Sequence, residues 1–228
     1  MLSAHPEGIR VAEASQELGV APSTAHRLFQ MLTHFELAGQ DPASKAYLPG
    51  PALHGMALPQ ERFVQKARRA LVELAEATQE TVHLSVLEGN YSVTLLSVEG
   101  PHMLRVGDRA GNAISVRHGA MARCLLVGYE EHALRELLGG LPQPPAPEEL
   151  DALVQRAADD RRRGYAYQEG EVEADVSVVA VPVFDEKRWP RYAVGTTFPT
   201  ARVSKKQIPG IVERLQGAAA SLGLMLRG

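Results

Sequence analysis

Residues 11–35, VAEASQELGVAPSTAHRLFQMLTHF, constrain this chain of 228 residues more than any other stretch. Val11, Ala14 and Leu18 recur at helical spacing, and Gly19 follows where a helix can end in a left-handed residue. Pro22 opens a second helix, a position at which its missing N–H is no loss. In that helix Ala25, Leu28, Leu32 and Phe35 make an apolar stripe, while Ser23, Arg27, Gln30 and His34 lie on another face. A short helix, a glycine-containing turn and a second helix with an arginine near its start is the helix-turn-helix arrangement, whose second helix can enter a DNA major groove. The same spacing also fits a plain helical hairpin with a solvated polar face. The next segment, ELAGQDPASKAYLPG, sets the polar turn Asp41–Lys45 between short extended runs around Leu37 and Tyr47. It predicts a hairpin in the position of a wing.

Charge argues against strong electrostatic binding of nucleic acid. The chain carries −3 overall, and its first 59 residues set Arg10, Arg27 and Lys45 against Glu7, Glu13, Glu17, Glu36 and Asp41. Neutralised phosphates supply much of DNA affinity, so one copy of this segment should bind feebly. Oligomerisation would multiply the contacts. A winged helix also normally has a helix ahead of this pair, and only Met1–Ile9 is there to supply it, so a shortened N-terminus is expected.

Composition, with 45% hydrophobic and 22% charged residues, is that of a globular protein with room for two domains. No apolar run is long enough for a membrane span and no basic-then-apolar leader follows Met1, so a cytoplasmic protein without a membrane partner is expected. The single cysteine, Cys124, lies in the apolar run Ala122–Val127 and reads as a buried, inert thiol.

Pro49, Gly50, Pro51, Gly55 and Pro59 mark a boundary. The reading is a DNA-binding domain over residues 1–58, a linker helix over 59–78 and a second domain over 79–228. The linker helix shows apolar positions at Phe63, Val64, Ala67, Leu71, Leu74 and Ala75. Beyond it, TVHLSVLEG and YSVTLLSVEG form a strand hairpin, and MLRVGD is a third extended piece. Helices over 118–129, 130–138 and 148–164 follow, then strands SVVAVPVF and RYAVGTTF and a last helix over 204–222. Antiparallel hairpins flanked by helices give an α+β domain able to enclose one small-molecule pocket.

The signatures of zinc proteases, phosphate-cradling loops, dinucleotide folds and nucleophile elbows are missing, so no enzyme activity, metal or cofactor is expected. His26 and His34 share a helix face in a solvated or phosphate-facing role. His83 lies in a strand, as a core residue or a pocket wall. The acidic stretch Glu169–Glu173 reads as a solvated loop.

Three separated segments resemble the IclR family of bacterial transcriptional regulators. ELGVAPSTAHRLFQML is similar to its recognition-helix motif, RRRGYAYQEGE to its Arg-x-x-Gly-Tyr element, and AVPVFDEKRWPRYAVGTTFP to its paired strands ending in proline. The likeness runs from about Gly8 to Leu224 in the family's order. It implies an N-terminal winged helix-turn-helix, a linker helix and a C-terminal effector-binding domain of GAF/PAS-like α+β fold. It further implies a homodimer or homotetramer on double-stranded operator DNA, controlled by a small metabolite. Carried over by motif, Ser23, Thr24, His26, Arg27 and Gln30 match the DNA-reading helix, and Lys45 and Tyr47 the wing. The effector positions match Met103, Val106, Ile114, Ala120, Met121, Glu169, Val178, Gly195 and Thr197. Departures are Met121 and Arg123 in HGAMARC, bulkier than the family's usual residues, and Gly195 at a strand hydroxyl position. Gln168-Glu169 replaces an acidic pair, and Pro22 stands where the family commonly has lysine.

The reading is a sequence-specific DNA-binding transcriptional regulator whose effector is an organic or aromatic acid. A helix beginning at Gly119–Met121 would favour a carboxylate through its free N–H groups and dipole, with a neutral ligand as the alternative. The rivals are a GAF-like sensor acting through protein contacts and, disfavoured by the missing motifs, a small-molecule enzyme.

Overall fold

A computed structural model describes Leu2, His5 and residues 7–226, with the side chains of residues 54–59 outside the description. The chain divides into two compact units, Met1–Phe63 and Val64–Gly228.

The first unit holds α1 (Val11–Leu18), α2 (Pro22–His34), β1 (Ala38–Gln40) and β2 (Tyr47–Pro49). Gly19, at φ 63°, ends α1 in the left-handed region, and the Ser15 hydroxyl donates to the Val20 carbonyl at 2.6 Å to close the turn. β1 and β2 pair antiparallel, with Gly39 opposite Leu48. The core is Leu2, Ile9, Ala14, Phe29, Ala38 and Tyr47, with Val11, Leu32 and Leu53 packed on it.

The buried line on α2 differs from the expected stripe. Ala25 and Phe29 are buried and Leu32 is half-buried, whereas Leu28 and Phe35 are exposed. Two apolar lines run side by side on this helix: Ala25, Phe29 and Leu32, and Leu28, Met31 and Phe35. Both satisfy helical spacing, so periodicity cannot choose between them. The hairpin chooses, because the Tyr47 ring stacks on Phe29 at 4.2 Å between centroids and 5° between planes.

Helix α3 spans Pro51–Thr78 without a break, starting eight residues before the linker helix expected at 59. The boundary expected over Leu48–Pro59 is therefore mostly helix. A proline in a first turn begins a helix as readily as one further along ends it.

The second unit is built on a six-stranded antiparallel sheet of order β5-β4-β3-β8-β7-β6. Its strands are β3 (Thr81–Glu88), β4 (Tyr91–Val98), β5 (Ala113–Ser115), β6 (Ala166–Glu169), β7 (Val176–Phe184) and β8 (Pro190–Pro199). Its further helices are α4 (Ala120–Leu126), α5 (Glu131–Gly139), α6 (Pro147–Arg163) and α7 (Ile208–Met225). The extended piece expected at MLRVGD is loop, and β5 takes the sheet edge instead; β6 was not foreseen.

Alternation along the strands gives the sheet two chemically different faces. One bears Val82, Leu84, Val179, Val181, Val183, Val194 and Phe198, all buried. The other bears Thr81, His83 and Ser85 from β3, opposite Thr197, Gly195 and Ala193 of β8. Helix α4 packs on this second face through Ala120, Cys124 and Leu125, against Ala166, Val178, Ala180 and Ala193. Helices α5 and α6 close a second core with Val116, Leu126, Leu138, Leu153 and Val154.

A β-bulge decides what that polar face contains. Leu84 pairs with Leu96 but Ser85 pairs with Thr94, so Leu95 is the extra residue on β4. A bulge shifts the alternation of the strand beyond it, which turns Thr94 and Ser92 onto the same face as His83. Among the described residues no helix is long and apolar enough to cross a membrane, and no group of three His, Cys, Asp or Glu could hold a metal ion.

Candidate functional site

On the first unit, Ser23, Thr24, His26, Arg27 and Gln30 are all exposed on α2. The helix that carries them is pinned to the hairpin by the Phe29–Tyr47 stack and by a 3.5 Å contact between the Tyr47 hydroxyl and His26 Nδ1. Tyr47, matched to a wing contact, is 4% exposed and belongs to the core, so its ring cannot lie against a phosphate. Lys45 is exposed at the hairpin tip. Asp41 folds that tip around its carboxylate, accepting from the Ser44 hydroxyl and from the N–H groups of Ala43 and Ser44 at 3.1 Å. The Ser44 bond, then these two N–H groups, hold the Asp41 carboxyl below the usual carboxylate range. The tip thus keeps a negative charge beside Lys45.

On the second unit, α4 and the polar face of the sheet line a half-open cavity of ≈ 60 Å³. Its walls include Ile114, Ala120, Met121, Val178 and Thr197, which brings five of the matched effector positions together. Four others lie elsewhere. Met103 is 99% exposed in the loop after β4. Val106 is buried off the cavity, its carbonyl accepting from the Thr81 hydroxyl at 2.6 Å. Glu169 points away, accepting from the Tyr167 hydroxyl at 3.0 Å; alternation along β6 sends its neighbour Gln168 inward instead. Gly195 lies beneath Met121, whose sulfur would stand 2.5 Å from a Cβ built at that glycine.

The polar lining is His83, Ser92, Thr94, Arg109, His118, Gln168, Glu173 and Thr197. His83 is buried, with Nδ1 2.7 Å from the Ser97 hydroxyl, and Ser97 also accepts from the Arg109 N–H at 3.0 Å. Burial, with the Arg109 charge adding to it, pushes the imidazole down to about 4, so it is neutral at physiological pH. His83 Nε2 and Gln168 Oε1 are buried and have no protein hydrogen-bond partner. At the rim, Arg109 donates to Glu173.

The start of α4 differs from expectation. The Gly119 N–H already donates to Glu171 Oε1 at 3.1 Å. Glu171 is in turn held by Arg123 Nη1 at 2.7 Å, while Arg123 Nε and Nη2 donate to Asp160 and to the Tyr167 carbonyl, each at 2.7 Å. The chain's own carboxylate therefore sits where a ligand carboxylate was expected, and the bulky Arg123 is what anchors it.

The IclR helix-turn-helix domain matches residues 1–42, and the bacterial transcriptional regulator IclR C-terminal domain matches residues 56–223. The chain belongs to the IclR family. It is 28% identical to the HTH-type transcriptional regulator XynR of Escherichia coli K12, over 96% of this chain and 89% of that protein. It is 27% identical to the HTH-type transcriptional regulator BhcR of Paracoccus denitrificans, over 97% and 82%. Among solved structures, an IclR regulator from Silicibacter sp. TM1040 superposes with a TM-score of 0.76 at 27% identity, covering 96% of this chain and 89% of that one. The Thermotoga maritima IclR shares the fold, with a TM-score of 0.66 at 24% identity and coverages of 96% and 91%. This IclR chain is accordingly a transcriptional regulator with a DNA-binding helix-turn-helix domain, not an enzyme.

Its departures from the family pattern acquire physical meaning in the fold. Met121 fills the space above Gly195, where a Cβ would meet its sulfur at 2.5 Å, so the long side chain and the glycine fit only together. The polar lining residues Ser92, Thr94 and Arg109 were missed by sequence reasoning. His83 had a visible signal as a lone histidine in a strand-like run, and Gln168 had one as half of the departure from an acidic pair.

Proposed function

We propose that this chain binds operator DNA sequence-specifically through Ser23, Thr24, Arg27 and Gln30, and that a small organic acid in the α4 cavity controls that binding. The observation that carries the reading is the pairing, on one chain, of an exposed helix-turn-helix face with a small half-open cavity. That cavity leaves two buried polar atoms in want of a partner. An unpaired buried polar group costs about 1–3 kcal/mol, which a matching ligand recovers.

The case for an acid rests on Arg109 at the cavity rim, since Glu171 occupies the start of α4. Size favours a short aliphatic acid. A cavity of about 150 Å³ is known to take a benzene ring, and this one measures ≈ 60 Å³. The sparse positive charge of the first unit fits an oligomer, a homodimer or homotetramer, that adds contacts over two half-sites. Helix α3 carries the chain from one unit into the other and offers a covalent route for coupling. A ligand alters operator affinity only through its different affinities for the two arrangements, a coupling of about 1–3 kcal/mol.

The test is a gel shift on the DNA upstream of the gene, with and without short carboxylic acids. Retention of that fragment over scrambled DNA, changed by one of the acids, is expected. Equal retention of both fragments would favour a sensor acting through protein contacts.

A further inference from the structure

We infer that the effector is a short hydroxy acid, and that its carboxylate replaces Glu173 on Arg109 while its hydroxyl is held by Gln168 and His83. This rests on the reading of the α4 cavity as the effector site and names the chemistry and the switch within it.

The two ends of the cavity want different partners. Gln168 Oε1 is an acceptor, 3.4 Å from where a Cβ of Gly119 would lie, and so faces the cavity wall. A hydroxyl pairs with this amide in either orientation, donating to its oxygen or accepting from its NH2, whereas a carboxylate pairs with only one of the two. His83 Nε2 is a donor or an acceptor according to the tautomer, and a hydroxyl serves either. Ser92, Thr94 and Thr197 add hydroxyls to the lining, and Ile114, Met121 and Val178 leave room only for a short carbon chain.

At the rim the chemistry reverses. Arg109 brings a guanidinium there, and its backbone N–H is tied to the same Ser97 hydroxyl that touches His83. Its partner Glu173 is half exposed and sits in the loop between β6 and β7, where Gly170 and Asp175 both adopt positive φ. An exposed pair of this kind contributes little, about 0–1 kcal/mol, so exchanging one carboxylate for another leaves Arg109 paired at small cost. The exchange frees the Glu173 side chain, while Glu171 in the same loop stays anchored by Arg123 and the Gly119 N–H.

The experiment is calorimetric titration of the full-length protein with glycolate, lactate and 3-hydroxybutyrate. Each is paired with its deoxy acid (acetate, propionate, butyrate) and with its own amide. For at least one set, the hydroxy acid should bind about tenfold tighter than either counterpart, the loss expected for one hydrogen bond or one charge pairing. Glu173→Gln, which removes the internal competitor's charge, should tighten the hydroxy acid several-fold and leave the amide unchanged. Arg109→Gln should erase the preference for acid over amide.

The inference is overturned if deoxy and hydroxy acids bind alike, if Glu173→Gln leaves acid affinity unchanged, or if no probe binds the wild-type or Glu173→Gln protein at about 10 mM. The gel shift decides the wider reading separately. A response there to some other acid, with no binding here, would keep the regulator and discard the hydroxy-acid exchange.

Discussion

The two units hold their candidate sites by opposite means. On the first, Ser23, Thr24, Arg27 and Gln30 stand exposed on one helix, and a small core with one aromatic stack sets its orientation. On the second, the cavity lies between a helix and a sheet, and buried charge holds its wall: Arg123, 5% exposed, bonds Asp160, Glu171 and a backbone carbonyl. A surface face can lose a residue without disturbing the fold, whereas a buried wall of this kind cannot. The contrast is therefore a claim about where mutations act, in binding for the first unit and in stability for the second.

Arg123→Met strikes the contrast hardest. It leaves Asp160, 3% exposed, with only Arg163 to pair it, and releases Glu171 from its anchor. Breaking a buried pair on one side costs about 3–5 kcal/mol, which denaturant unfolding of the full chain would read directly. A loss under about 1 kcal/mol, the scale of an exposed pair, would mean that buried charge does not hold this wall.

His83 tests the same unit by pH. Its folded value of about 4 lies below the free value of 6.5, so the unfolded chain takes up a proton first as pH falls. Stability from this group is complete above pH 6.5 and declines towards pH 4, by about 3 kcal/mol in all. His83→Gln should flatten that part of the stability–pH curve. An unchanged slope would place the dependence on other groups.

These effects touch residues that differed greatly in how legible they were. The helix pair could be read from the chain because a glycine turn, a proline start and helical spacing are local signals that the fold respected at Gly19 and Pro22. Tyr47 could not be placed, since exposed wing and buried stack differ only in whether Phe29 lies beneath the ring. The cavity was half legible. Ala120, Met121, Val178 and Thr197 came from motif likeness, but Gln168 instead of Glu169 is a matter of strand register. Ser92 and Thr94 face inward only because Leu95 bulges, and nothing in YSVTLLSV marks the bulge. Arg109 and Glu173 meet across 64 residues of sequence, a pairing no local pattern carries.

On the first unit, Arg27→Ala should leave unfolding unchanged and weaken specific DNA binding by about 1–3 kcal/mol if the guanidinium reads a base edge. The salt dependence separates the roles. A loss that is equal on all sequences, with a shallower slope against salt, assigns Arg27 to a phosphate. Full operator affinity at matched salt would falsify its place on the reading face.

The smallest effect is the sharpest test of separability. Thr197 pairs with Thr81 and Val178 in the sheet, and its side chain lines the cavity. Thr197→Val keeps the shape and removes one hydroxyl, so it should weaken effector binding by about 0.5–1.5 kcal/mol, the worth of one hydrogen bond. Operator affinity without ligand should not move, because the hydroxyl acts only on the bound ligand. Reciprocity sharpens the measurement: operator DNA must change ligand affinity by the factor with which ligand changes operator affinity, in the wild type and in the variant. Calorimetric titration into free and operator-bound protein gives that factor. Equal affinities in both would show that the cavity binds its ligand without informing the DNA-reading helix, however tight the binding.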